Sequence, residues 1–406
     1  MSHHGGVFRR SAVLVPVLGL LLTGCGALQA PAPGPALAGS TEPALRTLPV
    51  PEDAAESRLE PACPPVDPDQ PVTADGLNAA FAEMDLPHWK QSDVGTTAVL
   101  EDGRVVWVWG DTVRGREVRP RMADNSILIT SGTCVSQVLT PDDGPIVPET
   151  PEEFSLWPLS ALRVDPRPGD AADVTDVVVV FFSRVQRGIS NFDFEERGTT
   201  VATFTVGATG IPVLVETREL TPDLPDIGSV HWGAASTLDG DTVYVYGTRN
   251  TGEELVYGRE LYVSRMPVGE VADGAAMEFW DGASWQSDES RAVPILDAVD
   301  GSSQRLSVDL VDGTWVAFSK LGGDFSDTAA TWTSENPSGP FTAEPVLSVP
   351  FGWETGVISY MPLAHPDIPT EPGTMLVHYS RNITDFAQLF RQPELGIPRF
   401  AQVPRP

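Results

Sequence analysis

Ser92-Asp93-Val94-Gly95-Thr96-Thr97-Ala98-Val99-Leu100-Glu101-Asp102-Gly103-Arg104-Val105-Val106-Trp107-Val108-Trp109-Gly110-Asp111-Thr112 reads as a β-hairpin. Two β-rich arms flank Glu101-Asp102-Gly103-Arg104, where Gly103 suits the left-handed position of the turn. If Leu100 pairs with Arg104 around a bulged Asp-Gly turn, the same register carries Asp93 opposite Asp111. Two carboxylates would then sit side by side at the open end of one hairpin. Such a pair is a starting point for acid/base chemistry.

The hairpin recurs. Phe181-Phe182-Ser183-Arg184, Val245-Tyr246-Gly247-Thr248-Arg249, Ala317-Phe318-Ser319-Lys320 and His378-Tyr379-Ser380-Arg381 each repeat the end of its second arm: an aromatic, a small residue, then a charge. Each follows a Gly-containing turn. Reflecting the charged ends through those turns lands near Trp157, His231-Trp232, Arg305 and Tyr360. From Asp93 these starts step by 64, about 74, about 74 and 55 residues. Repeats of this length point to a propeller, solenoid or array. Runs such as Val177-Val178-Val179-Val180-Phe181-Phe182 suit sheets buried on both faces. The expected fold is therefore all-β, a five-bladed β-propeller of four-stranded blades over about residues 92–406. A two-sheet sandwich is the rival, but it calls for cleaner alternation. Strands alternate in direction within a blade, so first-strand starts and second-strand ends share one rim.

The N-terminal region reads differently. Arg9-Arg10 precede an apolar run from Ser11 to Leu22, which ends in the lipobox-like Leu22-Thr23-Gly24-Cys25. The expectation is a lipoprotein signal peptide over 1–24, lipidation of Cys25, export, and a lipid anchor on the outer face of the cell membrane. Residues 25–71 are rich in Pro and Ala and read as a disordered tether. The propeller domain is assigned to 72–406, opening with a short helix between Thr73 and Met84 capped by Thr73 or Asp75. Cys63 and Cys134 are the remaining cysteines, and in an oxidising compartment they most simply pair. A formal charge of −30 argues against nucleic-acid binding. No phosphate-binding loop, Gly-x-Ser-x-Gly elbow or His-Glu-x-x-His motif occurs, and no cofactor or metal is expected.

Asp93 and Asp111 are the candidate catalytic residues. Two nearby carboxylates cannot both ionise freely, and a glycosidase needs that division of labour. Trp157, Trp232 and Tyr360 are candidates to stack on sugar rings. His231, Arg184, Arg249, Arg305, Lys320 and Arg381 are candidates to bind hydroxyls or to pair with the acids. Asn125, in Asp124-Asn125-Ser126, is a candidate to orient a carboxylate or substrate. Glu195, Glu196 and Glu354 are reserve acids. Each has a bland alternative as a turn, core or rim residue.

The run Asp93-Val94-Gly95-Thr96-Thr97, Val108-Trp109-Gly110-Asp111-Thr112 and Asp124-Asn125-Ser126 resembles a family of bacterial five-bladed propellers long classed as a domain of unknown function. Some of its members are endo-D-arabinanases, grouped as glycoside hydrolase family 183. The resemblance runs from about residue 90 to the C-terminus and is sharpest in the first blade. It implies an actinobacterial envelope enzyme that cuts the D-arabinan of arabinogalactan and lipoarabinomannan, with Asp93 and Asp111 as its catalytic pair. The expected partners are envelope polysaccharide and, through Cys25, the membrane; a monomer is expected. The competing reading is a non-catalytic propeller that binds envelope glycan or a protein.

Overall fold

A computed structural model describes residues 45–189, 193–272, 274 and 276–406. The expected signal peptide, Cys25 and the first part of the tether lie outside the described residues. Leu45–Pro406 forms one compact unit. Among the described residues, no helix is long and apolar enough to cross a membrane.

The chain forms a five-bladed β-propeller. Blade one holds β1 (Arg58–Glu60), β2 (Thr96–Val99), β3 (Val105–Trp109), β6 (Ser126–Ser131) and β7 (Cys134–Leu139); a small ribbon, β4 (Thr112–Val113) with β5 (Met122–Ala123), lies beside it. Blade two is β8 (Ser155–Val164), β9 (Val174–Arg187), β10 (Phe194–Gly207) and β11 (Pro212–Glu219). Blade three is β12 (His231–Asp239), β13 (Thr242–Arg249), β14 (Glu260–Pro267), β15 (Glu278–Trp280) and β16 (Trp285–Gln286). Blade four is β17 (Ser307–Val311), β18 (Thr314–Lys320), β19 (Thr328–Ser334) and β20 (Thr342–Ser348). Blade five is β21 (Val357–His365), β22 (Thr374–Ile383) and β23 (Arg399–Pro404). The expected four strands per blade thus hold for blades two and four; blades one and three carry five and blade five carries three. The inner strands β2, β8, β12, β17 and β21 surround an axial channel of about 420 Å³.

Each blade buries both faces, which explains the unbroken apolar runs. On β9, Val178, Val180 and Phe182 pack in the core toward blade one, while Val177, Val179 and Phe181 pack in the core toward blade three. On β3, Val106 and Val108 face blade two, and Trp107 and Trp109 face blade five. The two-residue period of a strand sends alternate side chains into different cores.

Blades five and one meet without sharing a strand. Trp107 and Trp109 stack with ring centroids 5.6 Å apart, and Phe81, Trp89, Leu376 and Phe400 complete their core. Phe81 comes from α1 (Ala74–Glu83), whose N-cap is Thr73, accepting from the Gly76 amide at 3.0 Å. This helix covers the open edge of β23. Asn78 donates to the Phe400 carbonyl at 2.9 Å and accepts from its amide at 3.0 Å. That reciprocal pair satisfies edge groups that a fourth strand would otherwise take.

The packed chain begins earlier than the sequence reading placed it. Thr47 bridges to Arg218, Arg46 pairs with Glu219 at 2.6 Å, and β1 adds to the outer strand β7. Residues 45–71 therefore lie against blades one and two: short extended pieces dock on strand edges, which a Pro-rich segment permits. A Cys63–Cys134 disulfide fastens this layer to β7 across 71 residues of sequence. The double variant Cys63→Ser/Cys134→Ser is expected to lose about 4 kcal/mol of stability, from loop-closure entropy. Urea unfolding with and without reductant measures it; equal midpoints would contradict the assignment.

Candidate active site

The β2–β3 hairpin adopts the expected register from Thr96 opposite Val108 to Val99 opposite Val105. Its turn closes with the Leu100 amide on the Arg104 carbonyl at 2.8 Å, and Gly103 has φ 81°. Toward the rim the register slips by one residue. The Gly110 amide donates to the Asp93 carbonyl at 2.9 Å, so Asp93 faces Gly110 and not Asp111. The cause is a bulge at Val94, whose φ is 47° and whose amide turns to the Ser380 hydroxyl of blade five at 2.8 Å. Gly110 lies so close that a Cβ there would sit 2.7 Å from Asp93 Oδ1. Register shifts also interrupt the inner strands at Pro158/Ser160, Trp232/Ala235 and Tyr360/Leu363. Bulges of this kind re-aim side chains at a rim.

Asp93 and Asp111 line a cavity of about 820 Å³ that receives side chains from all five blades. The Tyr360 hydroxyl donates to Asp93 Oδ2 at 2.5 Å and accepts from Asn382 Nδ2 at 3.3 Å. Arg187 clamps Asp111 with both terminal nitrogens, one at 3.1 Å, and also reaches Asp124 at 2.6 Å. Its guanidinium lies 5.0 Å over the Trp157 ring, and Arg305 lies 5.8 Å from the same ring. Arg305 is buried near both acids and near Glu196, and Glu196 accepts from the Ser183 hydroxyl at 3.0 Å.

Burial raises both carboxyls. Asp93 is pushed up by desolvation, against the Tyr360 hydrogen bond and the charges of Arg305 and Arg187. Asp111 is pushed up to about 7 by desolvation, opposed by Arg187 and reinforced by the charges of Asp93 and Asp124. Its side chain is only 18% exposed. Burial and Asp93 hold the Tyr360 phenol well above its ordinary value, so it stays a proton donor. Glu149 is raised by burial and by a hydrogen bond with Asp124. The arrangement sets two raised carboxyls apart: Asp111 holds a proton near neutrality, while the Tyr360 hydrogen bond and the charges of Arg305 and Arg187 oppose the rise on Asp93.

Of the residues singled out in the sequence, Trp157, Arg305 and Tyr360 join Asp93 and Asp111 in the cavity. The others are placed elsewhere. Asn125 ties the blade-one edge to blade two, donating to the Val147 and Leu156 carbonyls at 2.9 and 3.0 Å. Arg184 is buried and donates to the Thr199, Thr221 and Pro222 carbonyls. His231 is buried against the Pro225 carbonyl at 3.3 Å, and Trp232 is buried with its indole N–H on Glu289 at 2.7 Å. Arg249 pairs with Glu260 at 2.5 Å over the Tyr262 ring. Lys320 donates to the Asp324 and Ser359 carbonyls at 3.0 and 2.6 Å, and burial lowers its pKa to about 8. Arg381 sits beside Arg399 and Tyr379. These seven do not line the cavity. Strand length is one reason: β9 runs three residues past Arg184, so Arg187 is the arginine that reaches the acids.

The sequence reading missed Arg187, Asp124, Asn382 and Arg259, and the loop aromatics Tyr257, Phe325, Phe351 and Trp353. Asp124 and Asn382 each adjoin a residue that was singled out, one position out of phase. Glu196, Asp226 and His231 bring ligand-type atoms within 4.8 Å of one another. Arg259 stands 3.4 and 3.6 Å from the two carboxylates and already supplies positive charge there.

Residues 78–404 match the family model of a domain of unknown function, DUF5005. The chain belongs to the DUF5005 family. No curated protein matches it significantly. Among solved structures, a Bacteroides ovatus protein provisionally designated a hydrolase aligns over 88% of this DUF5005 chain and 93% of its own, at 16% identity and TM-score 0.62. A GH43_1 enzyme from Xanthomonas citri aligns over 82% and 92%, at 19% identity and TM-score 0.43. The α-L-arabinofuranosidase PaAbf62A from Podospora anserina aligns over 79% and 92%, at 9% identity and TM-score 0.45. The Bacteroides likeness is one of fold.

The packing behind Asp93 is tight. A Cβ on Gly95 would fall 2.4 Å from the Trp109 ring. Gly95→Ala is expected to cost roughly 1–3 kcal/mol through overpacking and to disturb the Val94 bulge. Thermal unfolding checks this; a wild-type melting temperature would contradict it.

Proposed function

We propose that this chain is a glycoside hydrolase that cuts furanoside polymers, acting within the D-arabinan of the cell envelope. The observation that carries the reading is the pair of desolvated carboxyls at one hairpin end, facing a cavity large enough for several sugar rings. Asp111, with its pKa near 7, is the general acid: its proton passes to the glycosidic oxygen as the C–O bond breaks. Asp93, which accepts the Tyr360 hydroxyl, is the base or nucleophile in its charged form. Arg187 takes up the charge left on Asp111. If Asp93 is the base, it takes the proton of the water that adds to the anomeric carbon, and exchange with solvent resets both acids; if Asp93 is the nucleophile, water displaces its glycosyl ester and gives its proton back to Asp111.

The D-arabinan substrate and the endo mode rest on the sequence resemblance of blade one to the endo-D-arabinanases. The hydrolase designation of the Bacteroides neighbour agrees with the reaction class. The lipobox at Cys25 supports export and a lipid anchor, with envelope polysaccharide as partner and a monomer as working unit. A non-catalytic glycan-binding propeller is the competing outcome.

The test is oligosaccharide release from purified arabinogalactan. Asp93→Asn and Asp111→Asn are each expected to lower it by about 10²–10⁴-fold. Binding without release, unchanged by both substitutions, would contradict the proposal. The pH profile gives a second check. Activity should fall above about pH 7 as Asp111 loses its proton. Tyr360 lowers the Asp93 pKa, so Tyr360→Phe should raise it and move the acidic limb to higher pH. An unmoved limb would remove Tyr360 from this role.

A further inference from the structure

Four aromatic rings form a continuous wall on the same cavity, on the side built by blades three, four and five. Tyr257 lies in the β13–β14 loop, Phe325 in the β18–β19 loop, and Phe351 and Trp353 in the loop before β21. Tyr257 and Phe325 meet at 4.9 Å, Phe325 and Phe351 at 4.8 Å, and Phe351 and Trp353 stack at 6.1 Å with 7° between their planes. Tyr257, Phe325 and Trp353 are 55%, 57% and 57% exposed. Rings so exposed and so contiguous gain little from the fold itself, and such patches mark binding surfaces.

The wall is also held in place. Trp353 rides a single 3₁₀ turn between Gly352 and Gly356, both left-handed at φ 79° and 76°. A Cβ on Gly352 would meet the Val357 carbonyl at 2.4 Å. The Phe351 amide is tied to Asp327 at 2.8 Å and its carbonyl to the Ser359 amide at 2.9 Å. Lys320 lies 5.6 Å from the Phe351 ring, and its ammonium is spent on backbone carbonyls.

We propose that Tyr257, Phe325, Phe351 and Trp353 are a stacking track for sugar residues remote from the cleaved bond. The occupant is a neutral glycan chain several sugars long. This rests on the hydrolase reading above. The track and the two acids line one cavity, so a chain seated at Asp93 and Asp111 has the aromatic wall as its continuation. Flat amphipathic rings suit the apolar faces of sugars at low entropic cost. The net charge of −30 and Asp324 at the track disfavour an anionic chain. A length requirement follows: the enzyme distinguishes polymer from short substrate through residues that never touch the reacting bond.

The test compares Trp353→Ala and Phe325→Ala with wild type, in the full chain, on arabinan polymer and on an aryl arabinofuranoside. Each variant should lose about tenfold in kcat/KM on polymer and keep its rate on the aryl substrate. Equal losses on both, or none on either, would overturn the track while leaving the cleavage reading standing. Binding is read separately in Asp93→Asn, as fluorescence quenching by neutral arabino-oligosaccharides of increasing length. Quenching that grows with length and disappears on adding Trp353→Phe supports the track even if no cleavage is found. Absence of quenching at every length overturns it. So does a concentration-dependent dimer that Trp353→Ala abolishes.

Discussion

Two carboxyl groups held out of water beside one another dominate the rim of this propeller. Neither Asp93 nor Asp111 would choose that environment alone, because burial penalises each charged form and each charge penalises the other. The surroundings divide them. Tyr360 and Arg305 favour a charge on Asp93, while Arg187 must be shared between Asp111 and Asp124. Trp157 packs against both arginines. An ordinary strand terminus needs none of this.

The fold makes the arrangement affordable. Five inter-blade cores hold the sheets, and the last of them, between blades five and one, lies directly behind the acids. Trp109 belongs to that core and immediately precedes Gly110 and Asp111. The Val94 amide reaches across the same seam to Ser380. Ring closure and acid placement are therefore one structural problem: the seam positions Asp93 by the contacts that close the propeller.

Much of this was legible in the sequence. The turn at Gly103 set the hairpin register, the apolar runs gave blades buried on both faces, and the repeated aromatic–small–charge ends located the rim. The slip at Val94 was not legible, because nothing in a single sequence distinguishes a bulged residue from its neighbours. The basic residues were misplaced for a related reason. Arg381 stands one position out of phase with the cavity-lining Asn382, and the length of β9 brings Arg187, three residues past Arg184, forward to the acids. The aromatic wall was hidden because Tyr257, Phe325 and Trp353 sit in three separate loops. Their meeting depends on tertiary placement, not on spacing.

Asp111 holds a proton near neutral pH because it is kept out of water, and the charges of Asp93 and Asp124 add to the rise. Carboxyl ¹³C NMR titration of the aspartates in wild type and in Asp93→Asn measures this most directly. An Asp111 signal titrating near pH 7 is expected in wild type, absent in Asp111→Asn and shifted down in Asp93→Asn. A signal that is lost in Asp111→Asn but titrates in the ordinary range at about pH 4, or that does not move in Asp93→Asn, would contradict the coupling of the two acids.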